Sequence, residues 1–301
     1  DLIVHRGSKI EYCAGSIADI FKKLGGEVVY FGKPYPEIYN FCIRKNENIL
    51  AIGDNIRTDI RGANKMQFDS LFITDGIHKT LLKLNEKTIL ERIIENACFA
   101  GINHFVVITG YRHEYLETYI KSCDLGVKVD LVYNPDWDKA NGISVLAGKP
   151  LIPNGKSFMI SMSDHVYDVD LFSKIAQSEL GTYSALVGLD FKVDDVFDID
   201  DAMKVSVSEN NRTKITSMSK SLKLFNAIDC GVFKCNYQFF DALKKAKKKG
   251  GCGLSDGCNV LIAEGKMGGV DIGDSFWMDV DTPESIEKLS SVNIPVKSKK
   301  V

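Results

Sequence analysis

Residues 53–94 read GDNIRTDIRGANKMQFDSLFITDGIHKTLLKLNEKTILERII. The first half carries the closing features of one α/β unit: a carboxylate directly after an apolar strand, a helix-like TDIRGANKM, then the strand-like SLFIT. The second half opens another, with Leu90, Ile93, Ile94 and Ala97 at the spacing of a helix that buries one face. Only residues 75–80 separate the two. SLFIT belongs to both series, and the spacing predicts the junction at about 76–80.

Outward from this stretch, apolar runs alternate with helix-like segments. Strands are predicted at 26–32, 48–53, 70–74, 104–110, 129–134, 157–162, 183–189 and 228–233. Helices are predicted at 36–45, 58–66, 87–101 and 113–122. Continuous apolar strands alternating with helices predict α/β architecture with a mixed, mostly parallel sheet. The chain has 301 residues, which sets a prior of about two domains. The formal net charge of -2 gives no global signature of a nucleic-acid or anionic-membrane partner. The run Lys244–Lys249 (KKAKKK) reads as a solvated helix C-terminus, where cations suit the dipole. No apolar run approaches the ~20 residues of a membrane span. The eight cysteines have no paired CxxC spacing, so the reading is a reduced, cytoplasmic protein.

Three places in the first series carry chemistry. Asp54 follows the strand of AIGDNIRTDIRGA, and Asp59 lies at the next helix start. Ligands in open α/β sheets bind beyond the carboxyl ends of strands, and two carboxylates there suit Mg²⁺. Upstream, Lys33 in FGKPYPEIY is set between a strand end and prolines, where it can stabilise a phosphoryl group. With these motifs, residues 1–78 resemble the C-terminal half of a haloacid-dehalogenase (HAD) superfamily phosphatase with an α/β cap. The resemblance implies that Lys33 steadies the phosphoryl group, that Asp54 ligands Mg²⁺ and that Asp59 supports it. It also implies a nucleophilic Asp-x-Asp pair, which residues 1–32 do not supply. The expectation for this half is a remnant without turnover.

The second series places Asp164 after the apolar strand of SFMISMSDHVYD, and Asp281 in SFWMDVDTPESIEKL. Both fall at strand ends, where two carboxylates can hold a divalent cation against phosphates. Asp281 alone reads equally well as the cap of a helix opening at Pro283. KTLLKLNEKTILERII, NPDWDKANGISVLAGKP, MSDHVYD, VFDIDDAMKV, FNAIDCGVF and FWMDVDTPESIEKL follow in order. In this order they resemble the sugar-phosphate nucleotidyltransferases, and among them the inositol-1-phosphate cytidylyltransferases.

The resemblance covers 79–301 and implies a Rossmann-like nucleotidyltransferase domain behind a partial HAD-like domain. It implies Mg²⁺ held by Asp164 and Asp281, Lys79 neutralising the triphosphate, and Asn141, Gly142 and Ser144 against the nucleotide or acceptor. The implied substrates are CTP, with other nucleoside triphosphates open, and a small phosphorylated acceptor: inositol phosphate, phosphocholine or a hexose 1-phosphate. The family opens with a Gly-rich loop carrying an arginine, whereas DGIHK (75–79) has one glycine and no arginine. The alternatives are therefore a HAD-type phosphatase and a non-catalytic fusion of two enzyme fragments.

Overall fold

A computed structural model describes residues 3–6, 9–12, 14–30, 33, 35–42, 50–53, 63, 65–66, 68–72, 78–84, 86–280, 285 and 288–289. The chain forms two compact units, Asp1–Ile77 and His78–Val301.

In the first unit, β1 (Ile3–Arg6) and β2 (Lys9–Tyr12) pair as an antiparallel hairpin. Helix α1 (Ala14–Lys23) follows, then α2 (Pro36–Cys42), then β3 (Leu50–Gly53) and β4 (Asp69–Phe72), which pair in parallel. Pro36 opens α2, where its missing N–H costs nothing. Residues 26–30, part of a predicted strand, form no ladder. Most of the helix predicted at 58–66 lies outside the described residues. Ile17, Ile20, Phe21 and Leu24 line one face of α1 and its end at helical spacing, yet all are exposed, Leu24 at 80%. An amphipathic helix needs a partner for such a face, and the described residues of this unit supply none.

The second unit opens with a 3-10 turn, Lys79–Leu81, and the short pair β5 (Lys83–Leu84) and β6 (Lys87–Thr88). Helix α3 (Ile89–Phe99) starts in a capping box: Thr88 Oγ1 accepts from the Glu91 N–H, and the Glu91 carboxylate accepts from the Thr88 N–H at 2.7 Å. Its buried face includes Leu90, Ile93, Ile94 and Ala97, as the spacing predicts. Strand β7 (His104–Thr109), α4 (His113–Ser122) and β8 (Lys128–Tyr133) form a parallel crossover unit. Gly110 is required not for a left-handed φ, which falls instead on Arg112 at 49°, but because a Cβ would meet Trp137 Cβ at 2.2 Å.

Then come α5 (Gly142–Gly148), β9 (Phe158–Ser161), β10 (His165–Tyr167), α6 (Val169–Gln177) and β11 (Ala185–Asp190). The hairpin β12 (Lys204–Ser208) and β13 (Asn211–Ser219) follows, then β14 (Ala227–Cys235). Helices α7 (Gln238–Lys248) and α8 (Leu254–Ala263), β15 (Met267–Asp271) and β16 (Trp277–Asp279) close the described chain.

The main sheet has six strands in the order β11-β15-β13-β12-β14-β9, with β11 also paired to β14. The α/β class holds, but the mostly parallel sheet does not. In this sheet only β11–β15 is parallel, and the other pairings are antiparallel. A buried apolar run reads the same in either direction, and the β12–β13 hairpin was not among the predicted strands. Phe233, Phe239, Leu243, Leu261 and Met267 centre one core cluster, Ile89, Phe172, Ile175 and Ile272 a second, and Leu90, Ile94 and Leu116 a third.

Leu243 fills the space that two glycines leave open. A Cβ on Gly142 would lie 2.8 Å from Leu243 Cδ2 and 2.5 Å from the Cys252 carbonyl oxygen; one on Gly257 would lie 2.6 Å from Leu243 Cδ2. The carbonyl cannot rotate away as a side chain can. Gly142→Ala is therefore expected to lose about 1–3 kcal/mol of stability, as overpacking does, in urea unfolding. A loss within error of zero would show that α5 shifts freely.

Candidate active site

Strand β9 ends at Ser161, and the chain turns through Met162 and Asp164 into β10. β10 pairs antiparallel with β16, and His165 stands directly opposite Asp279. The Val280 N–H donates to the Asp164 carbonyl at 2.9 Å, which ties the turn to the end of β16. His165 Nδ1 lies 2.9 Å from Asp164 Oδ1 and 3.6 Å from Asp279 Oδ1. The ring is stacked with Trp277 at 5.8 Å between centroids and with Tyr167 at 5.9 Å. Trp277 is itself fixed by donating from Nε1 to Asp190 Oδ2 at 2.9 Å. Gly231, at φ 79°, leaves room for the ring: a Cβ there would approach His165 Cδ2 at 3.0 Å.

Asp164, His165 and Asp279 line a cleft of about 280 Å³ together with Asn141, Lys220 and Asp229. Lys220 pairs with Asp201 at 2.8 Å. Buried Lys204 fixes this rim by donating to the carbonyls of Asp200 and Lys220.

Electrostatics bind the cluster. Burial opposes the charge on His165, but the hydrogen bond to Asp164 and the fields of Asp279, Asp164 and Asp229 outweigh it, so the imidazole titrates above its ordinary value. Burial likewise opposes ionisation of Asp164; the His165 hydrogen bond and charge overcome it, with help from the field of Lys79, and the carboxyl titrates low. Asp229 behaves oppositely. Burial pushes its pKa up to about 6, against the Gly231 N–H bond and the charge of His165.

For an acid raised in the folded state, stability falls as pH rises from the unfolded value, about 4, to the folded one and stays reduced above it. Asp229→Asn removes that penalty. The variant's melting temperature relative to wild type is expected to climb between pH 4 and pH 7, and a flat difference would contradict the shift.

One ligand atom each from Asp164, His165 and Asp279 falls within 4.8 Å of the others, the single such group among the described residues. Two carboxylates fit a hard divalent cation. His165 Nδ1 serves as a donor to Asp164, and the ring would have to give up that proton to act as a ligand. The raised imidazole shows that the two carboxylates already favour a positive charge between them.

The residues singled out in sequence are distributed as follows. Asp164 and Asn141 line the cleft, and Asn141 Oδ1 accepts from the Leu254 N–H at 2.7 Å, at the start of α8. Lys79 is exposed on its 3-10 turn and acts on Asp164 through its field. Gly142 is packed under Cys252 and Leu243, and Ser144 Oγ accepts from Asn134 Nδ2 at 3.0 Å; neither is among the cleft-lining residues. Lys33 is in an exposed turn of the first unit. Asp54, Asp59 and Asp281 lie outside the described residues. The sequence reading did not single out His165, Asp279 or Asp229 as site residues. The Asp-His pair after a strand was a usable signal for His165; the pairing of β10 with β16 was not visible.

Comparison with known proteins agrees with this fold. Residues 74–188 match the MobA-like NTP transferase domain family, and residues 30–95 match the HAD-hydrolase-like family, so the two matches share residues 74–95. The fold of the second unit is that of the α/β nucleotidyltransferases. The inositol-1-phosphate CTP transferase from T. maritima superposes with a TM-score of 0.63 at 19% identity, over 80% of this chain and 93% of that one. The chain is 27% identical over 221 residues to a bifunctional IPC transferase and DIPP synthase of Aquifex aeolicus, covering 72% of this chain and 47% of the relative. It is 27% identical over 214 residues to the protein of the same description from Rubrobacter xylanophilus, covering 70% and 46%. The chain thus spans about half the length of the curated relatives it matches. Residues 79–301 resemble the sugar-phosphate nucleotidyltransferases and, within them, the inositol-1-phosphate cytidylyltransferases; the N-terminal part resembles HAD-type hydrolases. Among the described residues, no helix is long and apolar enough to cross a membrane.

Proposed function

We propose that residues 79–301 are a nucleotidyltransferase domain that moves a cytidylyl group from CTP to a polyol or sugar phosphate and releases pyrophosphate. Residues 1–78 are the partial HAD-like domain, with Lys33, Asp54 and Asp59 as its remnant site. The observation that carries the reading is the Asp164–His165–Asp279 cluster on the wall of a cleft, in a nucleotidyltransferase fold.

An oxygen of the acceptor phosphate attacks the α-phosphorus of CTP. The new P–O bond forms as the bond to the β-phosphate bridging oxygen breaks, and pyrophosphate leaves with the electron pair. The attacking phosphate monoester is already anionic, so no side chain need remove a proton. The chain's part is positioning and charge neutralisation. Lys79 faces the triphosphate, Asn141 holds the cleft wall to the start of α8, and Lys220 stands at the rim to meet acceptor phosphate. A bound Mg²⁺, held by Asp164, by Asp279 and, on sequence grounds alone, by Asp281, would neutralise the phosphates as a Lewis acid. No disulfide joins the six described cysteines, which supports a reducing, cytoplasmic setting.

The test is pyrophosphate release from CTP and inositol 1-phosphate. Release that requires both substrates and stops with a chelator is expected. Phosphate release from inositol 1-phosphate without nucleotide would favour the HAD reading instead.

A further inference from the structure

Strands β10 and β16 carry the site, yet among the described residues they form a sheet of two, with no ladder to the six-stranded sheet. A pair of such short strands is marginal by itself, so contacts outside its ladder have to fix His165, Asp164 and Asp279. Side chains alternate along a strand. The register therefore puts His165 and Tyr167 of β10 on the same face as Trp277 and Asp279 of β16. On that face the Trp277 indole stacks diagonally on the His165 imidazole, with 16° between the planes.

The indole is held from the main sheet. Asp190 ends β11 and is buried; Trp277 lines the cleft and Asp190 does not. Asp190 Oδ2 accepts from Trp277 Nε1 at 2.9 Å. Its Oδ1 accepts from the Lys192 N–H at 2.8 Å and from Lys192 Nζ at 2.9 Å, and Lys192 Nζ also donates to the Gly273 carbonyl, in the turn that leads to β16. An apolar neighbour would serve stability as well as a buried carboxylate does. What the carboxylate adds is direction: a hydrogen bond weakens steeply off its axis, so an acceptor aimed at Nε1 fixes the rotation of the indole. The His165 ring lies against that indole, and its Nδ1 stands 2.9 Å from Asp164 Oδ1 and 3.6 Å from Asp279 Oδ1. Turning the ring would change both distances together.

We infer that Asp190 is a positioning residue for the transfer: through Trp277 it sets the plane of the His165 ring, and through that ring the spacing of the Asp164 and Asp279 carboxylates. The inference rests on the cytidylyl-transfer reading and deepens it.

Three variants of the full chain test it. Trp277→Phe keeps an aromatic face and removes the Nε1–H, Asp190→Leu removes the acceptor, and Asp190→Asn keeps an oxygen that can accept. For each, kcat and KM for CTP are measured with inositol 1-phosphate at saturating Mg²⁺, and Mn²⁺ binding to the nucleotide-free chain is followed by electron paramagnetic resonance. Trp277→Phe and Asp190→Leu are expected to lower kcat about tenfold, the size of a lost hydrogen bond to a charged group, with KM for CTP within about twofold. Mn²⁺ affinity should fall with kcat while the number of sites per chain stays the same. A merely structural role would do the reverse, because unfolded chains remove sites and leave the affinity of the rest unchanged. Asp190→Asn should recover most of the loss. The double variant Asp190→Leu/Trp277→Phe should be no slower than the slower single one, as for two groups that act through one contact. Should Asp190→Leu fail to fold, Trp277→Phe decides alone. Wild-type kcat and Mn²⁺ affinity in Trp277→Phe, or losses that multiply in the double variant, would overturn the inference while leaving nucleotidyl transfer standing. Folded wild type that transfers no nucleotide would instead remove the reading beneath it, and the inference with it.

Discussion

Asp164→Asn is expected to lower the rate of cytidylyl transfer by about 10³-fold, the upper range for loss of one preorganised electrostatic contact. The side chain is nearly isosteric, so packing is kept and charge alone is lost. Asp164 is the carboxylate that the His165 bond, the His165 charge and the Lys79 field all keep ionised against burial. Neutralising it removes one of the carboxylates proposed to hold the cation, and binding of metal–CTP should fall with the rate. A second consequence separates the electrostatic account from a packing one. A histidine whose folded pKa is raised contributes stability below its unfolded value, and that contribution fades as pH rises through the folded one. Wild type should therefore exceed Asp164→Asn in melting temperature most between about pH 4, where the carboxylate is ionised, and about pH 6.5, with the gap narrowing at higher pH and at more acid pH. Equal rates in variant and wild type would remove Asp164 from the site.

Lys79→Met is expected to cost about 10²-fold in kcat/KM for CTP, the effect of removing one charge from a phosphate clamp. The lysine itself is exposed, but its turn is not free to wander: Thr80 and Leu81 beside it are buried, and the Leu81 N–H donates to the His78 carbonyl at 2.7 Å. The turn thus delivers a cation to the side of the cleft where Asp164 feels it. The methionine preserves the length of the stem and removes the charge. Lys79→Arg should recover part of the loss, because it restores charge without the compact ammonium. Activity of Lys79→Met within about twofold of wild type would show that the triphosphate is neutralised elsewhere.

What could be read in sequence was local. The helix predicted at 113–122 is α4 with those bounds, and the apolar face of α3 falls where the spacing puts it. The crossover β7–α4–β8 follows from the same alternation. Asp164 was legible because a carboxylate after an apolar strand is a local pattern. The rest of the cluster was not. His165 and Asp279 meet only because β10 and β16 pair in one register, and strands of three residues carry too little periodicity to announce a partner. Asp229 was hidden for a related reason: it interrupts a long, mostly buried strand, and which face it lines depends on the sheet order. Gly142 illustrates the opposite case. Its place in the Asn-Gly-x-Ser segment suggested ligand contact, whereas its nearest neighbours are the Cys252 carbonyl and Leu243. Helix α8 was missed because Gly257 sits inside it; the glycine is tolerated there because Leu243 takes the space of a side chain.

The central claim is a working CTP site in the second unit, and the most direct test is calorimetric titration of CTP with Mg²⁺ into the full chain, beside Asp164→Asn. The account predicts saturable binding to wild type that needs the metal and disappears in the variant. A folded wild type that takes up no heat from CTP with Mg²⁺ would contradict it, and the chain would then stand as two joined enzyme remnants, neither of them holding nucleotide.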